Sequence, residues 1–308
     1  MRNIFLGIVI TMLAAGLSSA ADVRTEKTIR VAYAGSMGVV MDRFLGPAFA
    51  ATHDADYQGI GQGAYGLARL LASKQLQADV FISITPGPLK ILQEAGMMDE
   101  AVPIASTQMV IIYNSKSRFL NEFEAARAGK TPWWQALETA GLRFGRTDPA
   151  TDPQGQNIIF TILLAQRYYH QPDLVRKILG SYRNPAQIFT EPSLLSRLEA
   201  GQLDASSGYR SAAISHHMAY IKLPAEINLG NPSMAAGWYG KARFSITSSA
   251  GKEMDLKPQP LVFYATVLKD ARNPVLGKEF IRFLRSPEGR KMLRENGYGN
   301  PEGADIIR

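Results

Sequence analysis

Cysteine is absent from the 308 residues, and histidine occurs only at His53, His170, His216 and His217. Without thiols the chain has no disulfide framework, no thiolate metal site and no Cys nucleophile. Four scattered histidines are too few for a zinc site, and His216 and His217, adjacent on an expected helix, would point to different faces. Neither sign of charge dominates: 34 Lys and Arg against 27 Asp and Glu leave +7, spread along the chain rather than gathered in blocks. Such a weak field favours anions and calls for no nucleic-acid partner. Internal repeats and low-complexity linkers are missing as well. So are a Gly-x-Ser-x-Gly elbow, a Walker A loop and a His-Glu-x-x-His helix. Asp148 and Asp152 both sit beside proline in turns and make a poor acid–base pair. Trp133-Trp134 and Tyr168-Tyr169 read as packing. Neither an enzyme, nor a bound metal, nor a cofactor is expected.

What is present describes an ordinary globular protein, with 46% apolar and 20% charged residues. The length suits two domains of about 150 residues. At the start, Arg2 precedes an uncharged apolar stretch from Ile4 to Leu17, and Ser18, Ser19 and Ala20 follow. This pattern predicts a signal peptide, residues 1–20, cleaved after Ala20. The stretch falls short of the roughly 20 residues that a membrane span needs, and no cysteine stands at the cleavage point to carry lipid. A periplasmic protein is expected.

Beyond it, strands alternate with helices. Thr28–Ala34, Tyr57–Ile60, Ala78–Ile84, Gln108–Tyr113, Leu142–Gly145, Leu203–Ser206 and Leu261–Leu268 read as strands. Helices are expected around Val40 and Phe44, interrupted at Gly46-Pro47, then around Leu67 to Leu71 and from Leu89 to Gly96. Asp152-Pro153 opens a long helix to Tyr169, with Asp at the cap and Pro in the first turn. Others begin at Glu191-Pro192 and run from Ala212 to Tyr220. A last one is capped by Ser286 and ended by Gly297. Alternation at this spacing argues an α/β fold.

Three helix starts could carry chemistry: Ser36, Gly63-Ala64, and Asp152 to Gly155. A helix start exposes unpaired N–H groups and takes anions without an ionised side chain. Gly35, Gly63 and Gly155 would let a ligand approach the backbone. The same features suit plain strand-to-helix turns, with Ser36 and Asp152 as N-caps of their own helices.

In order along the chain, AYAGSM (32–37), GQGAYGLARLL (61–71), ADVFIS (78–83), MVIIYNSKSRF (109–119), GRTDPATDPQG (145–155), LDASSGYRSAA (203–213), LPAEINLG (223–230), PLVFYATVLKDARNP (260–274) and FLRSPEGRKML (283–293) resemble the molybdate/tungstate-binding components of ABC importers. That resemblance implies a two-lobed periplasmic-binding-protein fold of type II. Each lobe would be a mixed, mostly parallel sheet flanked by helices, lobe one 21–112 with 260–308 and lobe two 113–259. It implies an anion held in the cleft by Ser36, Met37, Gly63, Ala64, Thr107, Asp152, Gly155 and Tyr209, and closure by a hinge. Ala64 stands where such proteins usually offer a second Ser. Gly208 stands where the archaeal-type branch has a Glu that joins the Asp152 carboxylate on the metal centre of the anion. Molybdate or tungstate, a membrane permease and an ATPase are the implied partners of a monomer. Another small anion such as sulfate, phosphate or an organic acid, or an enzyme or sensor on the same fold, are the alternatives.

Overall fold

A computed structural model describes residues 27–247 and 251–307; the expected signal peptide lies outside them. Four strands begin the chain, β1 (Thr28–Ala34), β2 (Asp56–Gln62), β3 (Val80–Ile84) and β4 (Glu100–Ser106). A second set follows: β5 (Met109–Tyr113), β6 (Phe144–Thr147), β7 (Ile188–Phe189), β8 (Ala205–Tyr209) and β9 (Ala219–Lys222). A hairpin of β10 (Phe244–Thr247) and β11 (Glu253–Leu256) precedes β12 (Val262–Val267) and β13 (Ile306–Ile307). The first sheet has the order β13-β4-β12-β3-β1-β2 and the second β7-β6-β8-β5-β9. Both are flanked by helices, and this is the mixed α/β architecture of two-lobed binding proteins.

β1 is buried almost throughout, as a central strand covered on both faces must be. It pairs in parallel with β2 and β3, Val31 lying beside Gly59 and Val80. In the second sheet β6 runs parallel to β7 and β8. The strands next to the crossings, β12 and β5, run antiparallel to their neighbours, so each sheet is mixed. The chain leaves the first sheet after Ser106 and enters the second at Met109. Thr107 and the returning Leu261 are tied there by a 2.9 Å backbone bond.

Several local expectations change. Gly46-Pro47 does not interrupt its helix: helical residues run unbroken from Gly38 to His53, with a π turn at Met41–Leu45. The wider turn lies directly before Pro47, where an amide donor is missing, and Gly46 is small because a Cβ would meet the Tyr57 ring at 2.5 Å. The helix expected to reach Tyr220 stops at Ser215, since His217 turns left-handed (φ 53) and β9 pairs with β5. β4 carries Pro103 and so escapes recognition as a strand; the proline pairs Tyr264 at a register shift, where a strand tolerates it. Ser286 does cap the last helix, its Oγ accepting from the Gly289 amide at 3.1 Å.

Candidate functional site

Five strand ends deliver the site. β1 leads to Gly35-Ser36, β2 to Gly63, β6 to the turn Thr147–Asp152, β7 to Glu191, and β8 ends at Tyr209. In open α/β sheets the carboxyl ends of strands are where ligands sit. The two sheets face each other closed: the Gly66 amide donates to the Thr151 carbonyl at 3.2 Å, and Arg69 donates twice to Ala150 O at 3.2 Å.

Ser36 is not the cap of its helix. It lies inside the turn Gly35–Met37, where no side chain caps. It is 4% exposed, and its hydroxyl completes no hydrogen bond of good geometry with the protein. A buried hydroxyl left so is costly, on the order of 1–3 kcal/mol. Its carbonyl accepts from the Tyr298 hydroxyl at 3.3 Å, which fixes the turn.

Asp152 caps as expected, with Oδ1 accepting from the Gln154 amide at 2.8 Å ahead of the helix Pro153–Tyr168. Its second oxygen, Oδ2, is buried without a donor and faces Gly63, where an added Cβ would lie 3.2 Å away. The side chain therefore both caps and reaches the cleft.

Beside it stands a carboxylate that local pattern did not single out. Glu191 opens the helix Glu191–Glu199 and is 5% exposed. Its Oε2 comes so near Gly35 that a Cβ there would be 2.6 Å away; only glycine admits it. Burial raises the Glu191 carboxyl well above its ordinary value, and the Asp152 charge adds to the rise. The Ser36 hydroxyl and the amides of Ser36 and Gly35 act the other way by favouring the charged form. Burial likewise pushes Asp152 up to about 7, with Asp148 adding, against the Gln154 amide and the neighbouring Glu191 carboxyl group. Burial and the charges of the neighbouring acids act in the same direction, favouring the protonated form of each over two bare anions. Tyr209 completes the group. It is buried, its hydroxyl accepts from Asn157 Nδ2 at 3.0 Å, and burial with both acids nearby pushes it well above the usual phenol range.

A cavity of about 350 Å³ opens at this point, lined by Gln62, Gly63, Thr147, Asp152, Phe189 and Glu191 among others. Ser36 and Tyr209 do not line it. Of the remaining expected residues, Ala64 is buried at the start of the helix Ala64–Ala72. Met37 points into the core. Thr107 spends its hydroxyl on Ser211, at 3.0 Å from Oγ and 3.2 Å from the amide. Gly155 lets the helix start pack on the chain's own turn, where a Cβ would strike Thr147 O at 2.4 Å. Gly208 is directed at Ile112, 2.3 Å from an added Cβ. The second acid of the cleft thus comes from a different element. Among the described residues no group of three or more His, Cys, Asp and Glu could hold a metal ion, and no helix is long and apolar enough to cross a membrane.

Two lobes closing on a buried polar cleft define a solute-binding protein, and the sequence relatives agree. The chain belongs to the family of bacterial extracellular solute-binding proteins, whose pattern it matches over residues 29–299. It is 30% identical over 295 residues to an uncharacterized solute-binding protein of Petrotoga mobilis, covering 94% of this chain and 89% of that one. It is 29% identical over 296 residues to the molybdate/tungstate-binding protein WtpA of Thermococcus kodakarensis, covering 88% and 81%. The periplasmic molybdate-binding protein of Azotobacter vinelandii shares the fold, with a TM-score of 0.61 at 14% identity over 89% of this chain and all of that one. These relatives are solute-binding proteins, and the family is one of bacterial extracellular proteins.

Proposed function

We propose that the chain is the periplasmic binding component of an ABC importer that captures molybdate or tungstate between its lobes. One observation carries the reading. The Glu191 carboxyl group lies against Gly35, where a Cβ would stand 2.6 Å from Oε2, and beside it the buried Ser36 hydroxyl completes no hydrogen bond. A seat that takes one oxyanion with neutral donors suits another of similar size, and the seat lies at the strand ends where two sheets meet. The names of relatives such as the Thermococcus protein support molybdate and tungstate over other anions. The ligand contacts are proposed as Ser36, the amides at Gly63-Ala64, Asp152 and Tyr209, with Met37, Thr107 and Gly155 shaping the turns that hold them. The closing bodies are the two sheets with their helices. They lie near the expected 21–112 plus 260–308 and 113–259, with the first crossing at Thr107–Gln108. A cleaved signal peptide at 1–20, a permease and an ATPase complete the proposal, and the protein acts as a monomer.

Titration calorimetry of ligand-free protein against molybdate, tungstate, sulfate, phosphate and a small organic acid is the test, run at pH 6 and pH 8. Molybdate or tungstate should bind with micromolar affinity or better, about −8 kcal/mol. A clear response to an organic acid with none to either metal oxyanion at millimolar concentration would replace this reading.

A further inference from the structure

We propose that Glu191 is an internal competitor for the anion: in the closed, ligand-free protein its carboxyl group occupies the Gly35–Ser36 seat, and an oxyanion enters by displacing it, with uptake of a proton at the Asp152–Glu191 pair. The inference rests on the anion reading above and adds the residue that regulates the site.

The geometry is specific to this seat. Glu191 comes from the second lobe and Gly35-Ser36 from the first, so one carboxyl group bridges the lobes where a ligand would. Gly35 leaves the space for it, since a Cβ would stand 2.6 Å from Oε2. Both groups are enclosed, at 5% and 4% exposure for Glu191 and Ser36. The Ser36 hydroxyl is turned to the acid without completing a good bond to it. The side chain fits the seat imperfectly, as expected of a stand-in held by its own helix.

Proton uptake follows from what surrounds the pair. Asp148 faces Asp152 and is itself bound by Arg183 at 3.2 Å. Tyr209 and Tyr298 feel the Glu191 charge, and Tyr65 faces Tyr209. Arg69, the cation that crosses the cleft, is spent on the Ala150 carbonyl. The buried Arg146 is held by the carbonyls of Ser181 and Tyr182, each at 2.8 Å. A dianion arriving beside Asp152 and Glu191 is repelled by both carboxylates, and the guanidinium groups of Arg69 and Arg146 are oriented by carbonyls away from a direct ion pair with them. Binding of a proton by either acid relieves that repulsion as the anion binds. Asp152 Oδ2 is buried without a donor and gains one when Glu191 carries a proton beside it.

The experiment titrates molybdate into wild type, Glu191→Gln and Glu191→Ala between pH 5.5 and 8.5. It uses buffers of different ionisation enthalpy, after cooperative melting has shown that each variant is folded. Wild type should take up close to one proton per anion and lose about tenfold in affinity per pH unit above the pair's titration. Both variants should lose most of that uptake, and at pH 8 should bind at least tenfold more tightly than wild type. Equal or weaker binding by both variants with proton uptake retained overturns the proposal, since Glu191 then holds the ligand or ignores it. Small-angle scattering without ligand is a separate arm: wild type should be compact and Glu191→Ala open. An Ala variant as compact as wild type overturns the competitor even if molybdate binds as proposed. Failure of every anion at every pH refutes the anion reading alone while the scattering arm still decides the competitor, and saturation by a multivalent cation overturns both.

Discussion

Ser36 has a hydroxyl that its fold does not use. It caps nothing and donates no good bond, so Ser36→Ala should leave ligand-free stability unchanged or slightly raised. Molybdate affinity should fall by about 1–3 kcal/mol, the worth of a hydrogen bond to a charged group. Denaturant unfolding and calorimetry on the same variant separate the two. Asp152 divides its oxygens between helix and cleft, so Asp152→Asn should keep the cap on Gln154 while removing a buried charge. With the folded Asp152 raised to about 7, the native state binds more protons than the unfolded chain between about pH 4 and 7. Stability should therefore fall as pH rises through that window, by on the order of a few kcal/mol. The Asn variant should show a flatter profile in thermal melts across pH 4–8, and a profile as steep as that of wild type would place the titration elsewhere. At the bound anion, protonated acids do not add to the metal centre. X-ray absorption should find four short oxygens; six ligands would mean that Asp152 and Glu191 both coordinate.

The helix Pro153–Tyr168 is the element most plainly written in the residues, because a side-chain cap followed by proline is a local signal needing no partner. What Gly155 does in it was not legible. Nothing near it in sequence reveals that its Cα packs on the turn after β6, and the same glycine would serve a ligand. Gly155→Ala should cost about 1–3 kcal/mol by overpacking against Thr147 O. A lowered urea midpoint with an unchanged slope would be the sign of it. β9 shows the opposite failure. His216, His217 and Tyr220 read as helix continuing, but pairing of Ile221 with Ile111 on β5 decides for strand, and that partner is about a hundred residues away. The hairpin of β10 and β11 does alternate, Phe244 and Ile246 with Ser245 and Thr247 against Met254 and Leu256 with Glu253 and Asp255, but runs of four residues are too short to stand out.

At the scale of the whole molecule, closure and binding are one equilibrium. An anion that binds only the folded, closed form stabilises it by mass action, about 4 kcal/mol at a thousandfold excess over Kd. For a chain of this size that is a melting-temperature rise of roughly 6 °C, readable by differential scanning fluorimetry. The rise should be larger at pH 6 than at pH 8, because the pair takes up protons with the anion. A rise that grows toward alkaline pH would contradict the proton-coupled site.

By itself the sequence determined the α/β alternation, the cap at Asp152, and the turn at Ser36 with its glycine. These depend on residues within one or two turns of each other, where capping, φ restriction and hydrophobic period act. Its order of motifs also sufficed to identify the family. The tertiary structure alone decided which acid partners Asp152. Glu191 opens its helix in the manner of any favourable first-turn acid, and no local feature distinguishes it from one in water. It becomes a buried site group only because β7 ends beside β6 and the second lobe sets that helix start against Gly35. Burial and the field of other charges are sums over atoms brought together from distant parts of the chain. The protonation state of the cleft is therefore set by the fold and not by the neighbours of Glu191 in sequence.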